Sequence, residues 1–154
     1  MLGQAVQDFC VATSGGTTFV LADHAGKGVV LYFCPKDNTP GCTTEGQQVR
    51  DAHDHFLAAG AVIAGVSRDS IKSHESFRTR MAFPFVLSAD ADERLGEQFG
   101  VIKAKNMSGK VMRGIERSTF LIERNGILAR EWRGVQVSGR VQDVLAAVQA
   151  VPRA

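Results

Sequence analysis

Two continuously apolar segments constrain the fold of this 154-residue chain more than any other feature. They are GVVLYFC, residues 28–34, and AVIAGVS, residues 61–67, and neither contains a charged side chain. The first is rich in β-branched and aromatic residues, as is typical of a strand that is buried on both faces. A sheet built around such strands needs other elements on both of its faces, and we expect helices to cover them.

Two amphipathic helices are predicted around the second of these segments. Residues 40–59 repeat apolar side chains at helical spacing, and Asp69 with Ser70 is typical of the start of a helix. The apolar positions are Val49, Ala52, Phe56 and Leu57 in the first helix and Ile71, Phe77 and Met81 in the second. Strands therefore alternate with helices in this part of the chain, which favours an α/β fold.

Shorter elements complete the prediction toward both ends of the chain. The first 25 residues predict a hairpin split by Ser14-Gly15-Gly16, and Asn125-Gly126 predicts the turn of a second hairpin within residues 117–134. The other predicted segments are a strand over residues 83–90, a short helix through Leu95 and Phe99, a polar loop over residues 103–116, and a final helix from Ser138 with Val141, Val144, Leu145 and Val148 on one face. We expect one domain over residues 1–154, with a mixed central sheet flanked by helices and an N-terminal β-hairpin.

Composition and charge exclude several classes of function. The formal net charge of +2 is spread thinly, whereas a nucleic-acid or membrane surface needs a concentrated basic patch. No apolar run approaches the roughly 18 residues that span a bilayer, and no secretory signal is visible in the first residues. Three cysteines are an odd number and too few for a disulfide scaffold, so we expect a cytoplasmic compartment that keeps thiols reduced.

Cys42 stands where a helix start would activate a thiol. Pro40 is favoured at the first helical position, which makes Thr39 the predicted N-cap and Cys42 a first-turn residue. The free N–H groups and partial positive charge of a helix N-terminus favour an anion and lower the pKa of a thiol there, often to about 7 or below. Cys42 is therefore a candidate nucleophile, although a first-turn cysteine that is buried and inert fits the same local pattern.

The residues elsewhere in the chain restrict what such a thiol does. A cysteine hydrolase needs a histidine beside the sulfur as general base. His53 and His55 lie along the same predicted helix, roughly 15 Å or more away at about 1.5 Å per residue, and we expect them, with His24 and His74, to be surface histidines. The sequence has neither a CxxC nor an HxxxH spacing, which argues against a metal site and against a dithiol exchanger.

The segment around Cys42 resembles the peroxiredoxins. PKDNTPGCTTE carries Pro35, Thr39 and Cys42 in the PxxxTxxC pattern of that family, and VVLYFCPKDNTPGCTTEGQQVRD resembles its Q-type members, also called bacterioferritin comigratory proteins. Downstream, GKVMRGIERSTFLIERNGIL resembles the family's arginine-bearing strand, and VSGRVQDVLAAV resembles its closing helix. The resemblance runs from about Phe9 to Val148, and it implies a thioredoxin-like fold with no cofactor.

The resemblance also implies a function and roles for individual residues. The family reduces hydrogen peroxide and organic hydroperoxides with a peroxidatic cysteine, which matches Cys42. Thr39 would hydrogen-bond the peroxide oxygens and the sulfur, and Arg117 would stabilise the thiolate and the charge that develops as the O–O bond breaks. Pro35 would shield the sulfur from water, and Glu45 matches a family acid that supports the loop, although an exposed helix residue is an equal interpretation.

The chain departs from the family at the cysteine that resolves the oxidised site. Many Q-type members carry it five residues after the peroxidatic cysteine, where this chain has Gln47, and others carry it on the following helix, where SHESFRTRMAF has none. Cys34 stands where an aromatic residue is common. An external thiol, Cys34 and Cys10 all remain candidates, and we expect the external thiol, which thioredoxin, glutaredoxin or a small molecule would supply.

Three functions use these features differently. A thiol-dependent peroxidase is the leading interpretation, and a peroxide sensor or redox-relay protein would use the same pocket to oxidise a partner protein. A silent interaction module would not need Thr39, Cys42 and Arg117 together. Because Q-type members are often monomers, we expect a monomer, with no nucleic-acid or membrane partner.

Overall fold

The computed structural model describes residues 1–134 and 140–150. Within them strands alternate with helices over residues 28–98, and four consecutive strands precede the last helix; a 3-10 turn lies at Leu21–His24. In chain order the elements are β1 (Cys10–Thr13), β2 (Thr17–Val20), β3 (Gly28–Phe33), α1 (Pro40–Ala58), β4 (Ala61–Ser67), α2 (Ile71–Met81), β5 (Val86–Ala89), α3 (Arg94–Gln98), β6 (Ile102–Met107), β7 (Lys110–Ile115), β8 (Ser118–Ile122), β9 (Leu128–Trp132) and α4 (Arg140–Ala150).

The main sheet has seven strands in the order β2-β1-β5-β4-β3-β8-β9. β3, β4 and β5 run parallel to one another, whereas β1 and β2 on one side and β8 and β9 on the other add antiparallel pairs. The predicted mixed sheet and both predicted hairpins are therefore confirmed. This is the thioredoxin-like architecture that the resemblance implies.

β3 divides the core into two layers because successive residues of a strand point to opposite faces of the sheet. Val30, Tyr32 and Cys34 lie in one cluster with the buried residues of α1 and α4. Val29, Leu31 and Phe33 lie in the other cluster, with Leu95 of α3 and with Phe99. All six residues of β3 are buried, as its continuous apolar sequence predicts. This alternation directs the Cys34 side chain toward α1.

The prediction of a polar loop over residues 103–116 is wrong. β6 and β7 pair antiparallel and form a separate two-stranded sheet. Ser108 and Gly109 connect them with φ of 54° and 78°, the left-handed conformation at both positions of a type I′ hairpin turn. Val111 is 75% exposed, and the hairpin adds no strand to the main sheet. A strand outside the main sheet does not have to alternate apolar and polar residues, so the hydrophobic pattern of the sequence did not predict β6 and β7.

Smaller differences concern the ends and faces of predicted elements. β5 covers only Val86–Ala89 of the predicted strand over residues 83–90. Leu57 is 51% exposed, so the prediction that it belongs to the apolar face of α1 is wrong. It lies about 100° around the helix from the buried Phe56 and therefore outside the buried face. The predicted start of the final helix at Ser138 lies outside the described residues. No helix within them has both the length and the apolar sequence needed to cross a membrane.

Candidate active site

Cys42 lies in the first turn of α1, as predicted. Thr39 is the N-cap residue, with extended backbone angles φ −79° and ψ 154°, and Pro40 begins the helix. The amide of Thr43 donates to the Thr39 carbonyl at 2.9 Å. The Cys42 side chain is buried, with 2% exposure, at the end of the helix where free N–H groups favour an anion.

One guanidinium nitrogen connects the groups around this sulfur. Nη1 of Arg117 lies 3.7 Å from Sγ of Cys42, 3.3 Å from Sγ of Cys34 and 3.0 Å from Oε1 of Glu45. The Arg117 side chain is 16% exposed, so its charge acts largely inside the protein. We call these four residues the Cys42 cluster.

Sheet pairing brings Arg117 and Cys34 together. Cys34 follows β3 and Arg117 precedes β8, and these antiparallel neighbours pair with Phe33 opposite Ser118. The two residues therefore come side by side where this strand pair ends. The amide of Cys34 also donates to the Val66 carbonyl at 2.8 Å, which fixes the residue against β4.

Glu45 is buried, so its interpretation as an exposed helix residue is wrong. It lies three residues after Cys42 on the same side of α1 and is 2% exposed. Its Oε1 accepts hydrogen bonds from Arg117 and, at 3.1 Å, from the thiol of Cys34. Burial raises the pKa of the Glu45 carboxyl, while the hydrogen bond from Cys34 and the charge of Arg117 act against that rise.

The surroundings of Cys42 lower its pKa from 9.0 to about 6. A hydrogen bond with the Cys34 side chain is the largest cause; burial opposes it, and Thr39, the Lys36 backbone and the Arg117 charge lower the pKa further. Burial, together with the hydrogen bond to Cys42, raises the pKa of Cys34 well above its ordinary value. At neutral pH the negative charge therefore resides on Cys42, and Cys34 stays a thiol.

Thr39 contributes to the site through its side chain and not through helix capping. Its hydroxyl makes no capping hydrogen bond and instead donates to the Lys36 carbonyl at 2.7 Å. The same side chain is one of the groups that lower the pKa of Cys42 by hydrogen bonding. Because the hydroxyl has one proton, it donates to one acceptor at a time, and in the structure that acceptor is the Lys36 carbonyl.

The loop between β3 and α1 is anchored by a buried histidine. His74 of α2 is 1% exposed, so its prediction as a surface residue is wrong. Its Nδ1 lies 2.7 Å from Oδ2 of Asp37, and its Nε2 lies 3.0 Å from the Ser88 carbonyl oxygen. The amide of Asp37 in turn donates to Oδ2 of Asp69 at 2.8 Å. These contacts hold Asp37, and with it the position of Thr39 two residues later.

Gly41 provides the space that Arg117 occupies. A Cβ atom on Gly41 would lie 2.6 Å from Nη2 of Arg117, which is closer than such atoms approach in proteins. Residue 41 has to be glycine for the guanidinium to lie in its observed position. The Pro-Gly-Cys sequence identifies Gly41 as a turn residue but does not indicate that an arginine about 75 residues away packs against it.

Two residues considered from the sequence lie outside the Cys42 cluster. Pro35 is exposed at the start of the loop, and its role in shielding the sulfur stays a prediction. Cys10 is exposed in β1, three strand positions from β3 in the sheet. At about 4.8 Å per strand this is roughly 14 Å, which places Cys10 well beyond disulfide distance of the end of β3.

The sequence is similar to those of known proteins over almost its whole length. Residues 2–131 match the AhpC/TSA family. Peroxiredoxin Bcp of Xanthomonas campestris is 50% identical over 149 residues, which cover 97% of this chain and 93% of that protein. Peroxiredoxin Bcp of Bacillus subtilis is 46% identical over 144 residues, which cover 94% of this chain and 92% of that protein.

Solved structures agree with the sequence comparison. A bacterioferritin comigratory protein of Xanthomonas campestris, determined as trapped intermediate and ligand complexes to study its alkyl peroxide reduction activity, has a TM-score of 0.90 at 50% identity. The match covers 92% of this chain and 90% of that one. A cysteine-to-serine mutant of Xylella fastidiosa PrxQ has a TM-score of 0.91 at 40% identity, over 97% of this chain and 96% of that one.

Proposed function

The chain belongs to the AhpC/TSA family and, within it, to the Q-type peroxiredoxins, and we propose that Cys42 is the nucleophile of its thiol-dependent peroxidase activity. The observation that best supports this assignment is a buried helix-start thiol whose pKa is about 6, beside the Arg117 guanidinium. A thiolate is the nucleophilic form of cysteine, and at neutral pH most of the Cys42 population carries it.

The first half of the reaction is attack on the peroxide. The Cys42 thiolate attacks one oxygen of ROOH, the O–O bond breaks, and the leaving alkoxide takes a proton to become ROH while Cys42 becomes a sulfenic acid. We assign to Arg117 the stabilisation of the thiolate and of the negative charge on the departing oxygen. We assign to the Thr39 hydroxyl a hydrogen bond that orients the peroxide at the sulfur.

The second half of the reaction uses an external thiol. A reductant RSH attacks the sulfenic acid, which forms a mixed disulfide with Cys42 and releases water, and a second thiol then forms RSSR and returns the Cys42 thiol. Two observations support this one-cysteine cycle. The buried Cys34 has a raised pKa, which keeps it from being the thiolate that resolution needs, and Cys10 lies too far away.

We also propose the substrates and the reductant of this activity. We propose that hydrogen peroxide and organic hydroperoxides both react, because the similar Xanthomonas campestris protein is described by its alkyl peroxide reduction activity. Thioredoxin, glutaredoxin or a small thiol would return Cys42 to its reduced form.

This chemistry needs a reducing compartment, so we propose a cytoplasmic location. We also propose a monomer, since the exposed large apolar side chains among those that the structure describes come from three separate segments, namely Met1 with Leu2, Leu57 and Val111.

Repeated peroxide consumption tests the proposal. The protein is mixed with excess peroxide and either a thioredoxin system or dithiothreitol, and the peroxide consumed per chain is followed over time. We expect many turnovers for the wild type and for the control variant Cys10→Ser, and none for Cys42→Ser, because a serine hydroxyl is hardly ionised at neutral pH. Consumption that stops after one equivalent with every reductant indicates a sensor or relay, and turnover by Cys42→Ser removes Cys42 from its role.

A further inference from the structure

His74 is a buried histidine that the peroxidase cycle above does not use. It lies on α2, outside the Cys42 cluster. A buried imidazole is costly unless its ring nitrogens find partners, and here both of them do. Nδ1 lies 2.7 Å from Oδ2 of Asp37, and Nε2 lies 3.0 Å from the Ser88 carbonyl oxygen. The ring therefore joins the loop before α1 to β5.

The two partners define how the ring is held. A carbonyl oxygen can only accept, so Nε2 donates its proton to Ser88. The proton between Nδ1 and Oδ2 joins the ring to the Asp37 carboxyl, whichever of the two atoms holds it. Oδ2 also accepts from the Ser73 hydroxyl at 2.8 Å. Two adjacent residues of α2 therefore hold the Asp37 side chain.

Asp37 belongs to the turn that carries Thr39. Asn38 lies between them with φ of 63°, in the left-handed conformation that residues other than glycine adopt infrequently. The Thr39 hydroxyl donates to the Lys36 carbonyl at 2.7 Å and closes the turn. A backbone conformation of this kind persists when the surrounding structure fixes it, and the contacts of Asp37 with α2 do so here.

We propose that His74 is a positioning residue for the peroxide reaction: it holds Asp37, and through the turn it places the Thr39 hydroxyl at the start of α1. The proposal rests on the proposed roles of Cys42 as nucleophile and of Thr39 in orienting the peroxide. A bound peroxide has to meet the sulfur and the hydroxyl together, and a misplacement of about 1 Å strongly lowers the rate of such an oriented reaction. Alkylation of the same thiolate does not need the hydroxyl.

Two substitutions of His74 separate the roles of its ring nitrogens. The amide nitrogen of asparagine stands at the same number of bonds from Cα as Nδ1, and that of glutamine at the same number as Nε2. His74→Asn therefore keeps a donor for Asp37 and loses the contact with Ser88, whereas His74→Gln does the reverse. His55→Gln is the matched control, because His55 is exposed on α1. All variants are made in Cys10→Ser, so that the exposed thiol does not compete for reagent.

The measured quantity is the ratio of two second-order rate constants of Cys42, one with hydrogen peroxide and one with iodoacetamide. Stopped-flow kinetics give the first, and mass spectrometry of the Cys42 peptide gives the second. Both are measured at about pH 8, well above the pKa of about 6, so that Cys42 is ionised in every variant. We expect the ratio to fall about tenfold in His74→Gln, by less than about threefold in His74→Asn, and not at all in His55→Gln.

A double-mutant cycle tests whether His74 acts through Thr39. Valine has nearly the shape of threonine without the hydroxyl, and Thr39→Val alone is expected to lower the ratio about tenfold. If the two residues act as a unit, adding His74→Gln to Thr39→Val lowers the ratio by no more than about twofold further. A second fall of about tenfold, as for independent sites, would contradict the proposal.

The other outcomes are equally distinct. An unchanged ratio in His74→Gln makes His74 a packing residue, and equal falls in the asparagine and glutamine variants deny the role of the contact with Asp37. Should His74→Gln not fold, Asp37→Ala breaks the same contact from the loop side and is expected to give the same fall. If the wild type consumes no peroxide, or Thr39→Val keeps the wild-type ratio, the proposed function or its assignment of Thr39 fails, and the role of His74 with it. If Thr39→Val is slowed and His74→Gln is not, only the role of His74 fails.

Discussion

The individual residues of the Cys42 cluster have distinct electrostatic roles. Arg117 supplies the cation, and Glu45 supplies the buried acceptor that orients it. The Cys34 thiol donates to Glu45, and Cys42 is the thiol whose pKa is lowered. Because each group lies within hydrogen-bonding distance of at least one other, their effects on the reaction are coupled. A substitution at one member is therefore expected to change the ionisation of the others.

Replacing Arg117 tests the cation directly. Arg117→Ala is expected to raise the pKa of Cys42 and to slow its reaction with peroxide by about 100-fold, since donors of this kind often contribute two to three powers of ten. Arg117→Lys keeps the charge but not the fork of donors and is expected to fall between wild type and Arg117→Ala. Stopped-flow measurement of the second-order rate constant across pH checks both variants. Equal rates and equal pH profiles for wild type and Arg117→Ala would contradict the electrostatic role.

At the scale of elements, the site depends on how α1 and β8 approach each other. Arg117 reaches the first turn of α1 only because Gly41 leaves space for its guanidinium. Gly41→Ala is expected to fold, since the flexible end of Arg117 can move away from the added methyl group, but the pKa of Cys42 should rise and the peroxide rate should fall by about tenfold. Alkylation of Cys42 and stopped-flow kinetics measure the two effects.

A matched glycine substitution controls for the change of residue type. Gly114 of β7 has no positive φ, and a Cβ atom there would meet nothing within 4 Å. Gly114→Ala is therefore expected to leave both the Cys42 pKa and the peroxide rate unchanged. If Gly41→Ala behaves in the same way as Gly114→Ala, the close approach of Arg117 to the start of α1 has no role in catalysis.

The loop between β3 and α1 depends on α2 through the buried pair of Asp37 and His74. Asp37→Ala leaves Nδ1 of His74 without its partner, while Nε2 keeps the Ser88 carbonyl, and it is expected to lower the free energy of unfolding by about 2 kcal/mol. Lys36→Ala changes an exposed side chain of the same loop and is expected to alter it by less than about 0.5 kcal/mol. Urea unfolding of both variants measures the difference. Equal stabilities would mean that the pair contributes nothing to holding the loop.

The elements that the sequence predicts best are those that the core dictates. β4 coincides with the predicted residues 61–67, and α1 ends within one residue of its prediction, because a buried strand and an amphipathic helix leave clear periodic patterns. The β6–β7 hairpin leaves no such pattern. At the site, the position of Cys34 was only partly predictable. The alternation of side chains along β3 places Cys34 on the face toward α1. Its contact with Arg117 depends on the pairing of β3 with β8, which no local sequence pattern indicates.

At the scale of the whole molecule, the ionisation of one thiol is linked to folding. The pKa of Cys42 is about 6 in the folded protein and 9.0 as an ordinary thiol, so the folded state binds fewer protons between these pH values. The contribution of Cys42 to the free energy of unfolding therefore rises with pH across this window and is lost as pH falls through about 6. The Cys42→Ser variant lacks this titration.

Urea unfolding at a series of pH values measures this linkage. We expect the stability difference between wild type and Cys42→Ser to grow from about pH 6 to about pH 8, by at most about 1.4 kcal/mol per pH unit. A difference that stays constant with pH would mean that Cys42 does not ionise on folding. We also propose that residues 1–154 form one domain, because the seven-stranded main sheet contains both β1 and β9, and this predicts a single cooperative transition.

The mass of the protein after one equivalent of peroxide tests directly whether Cys42 is the thiolate that reacts and whether its sulfenic acid awaits an external thiol. Intact-mass and peptide analysis, with a reagent that traps sulfenic acid, reports which residue has reacted and in what form. We predict the addition of one oxygen atom, trapped on Cys42, with Cys34 and Cys10 still free thiols. Oxidation that starts at another residue, or loss of two hydrogens in an internal disulfide with no trapped sulfenic acid, would contradict this one-cysteine mechanism.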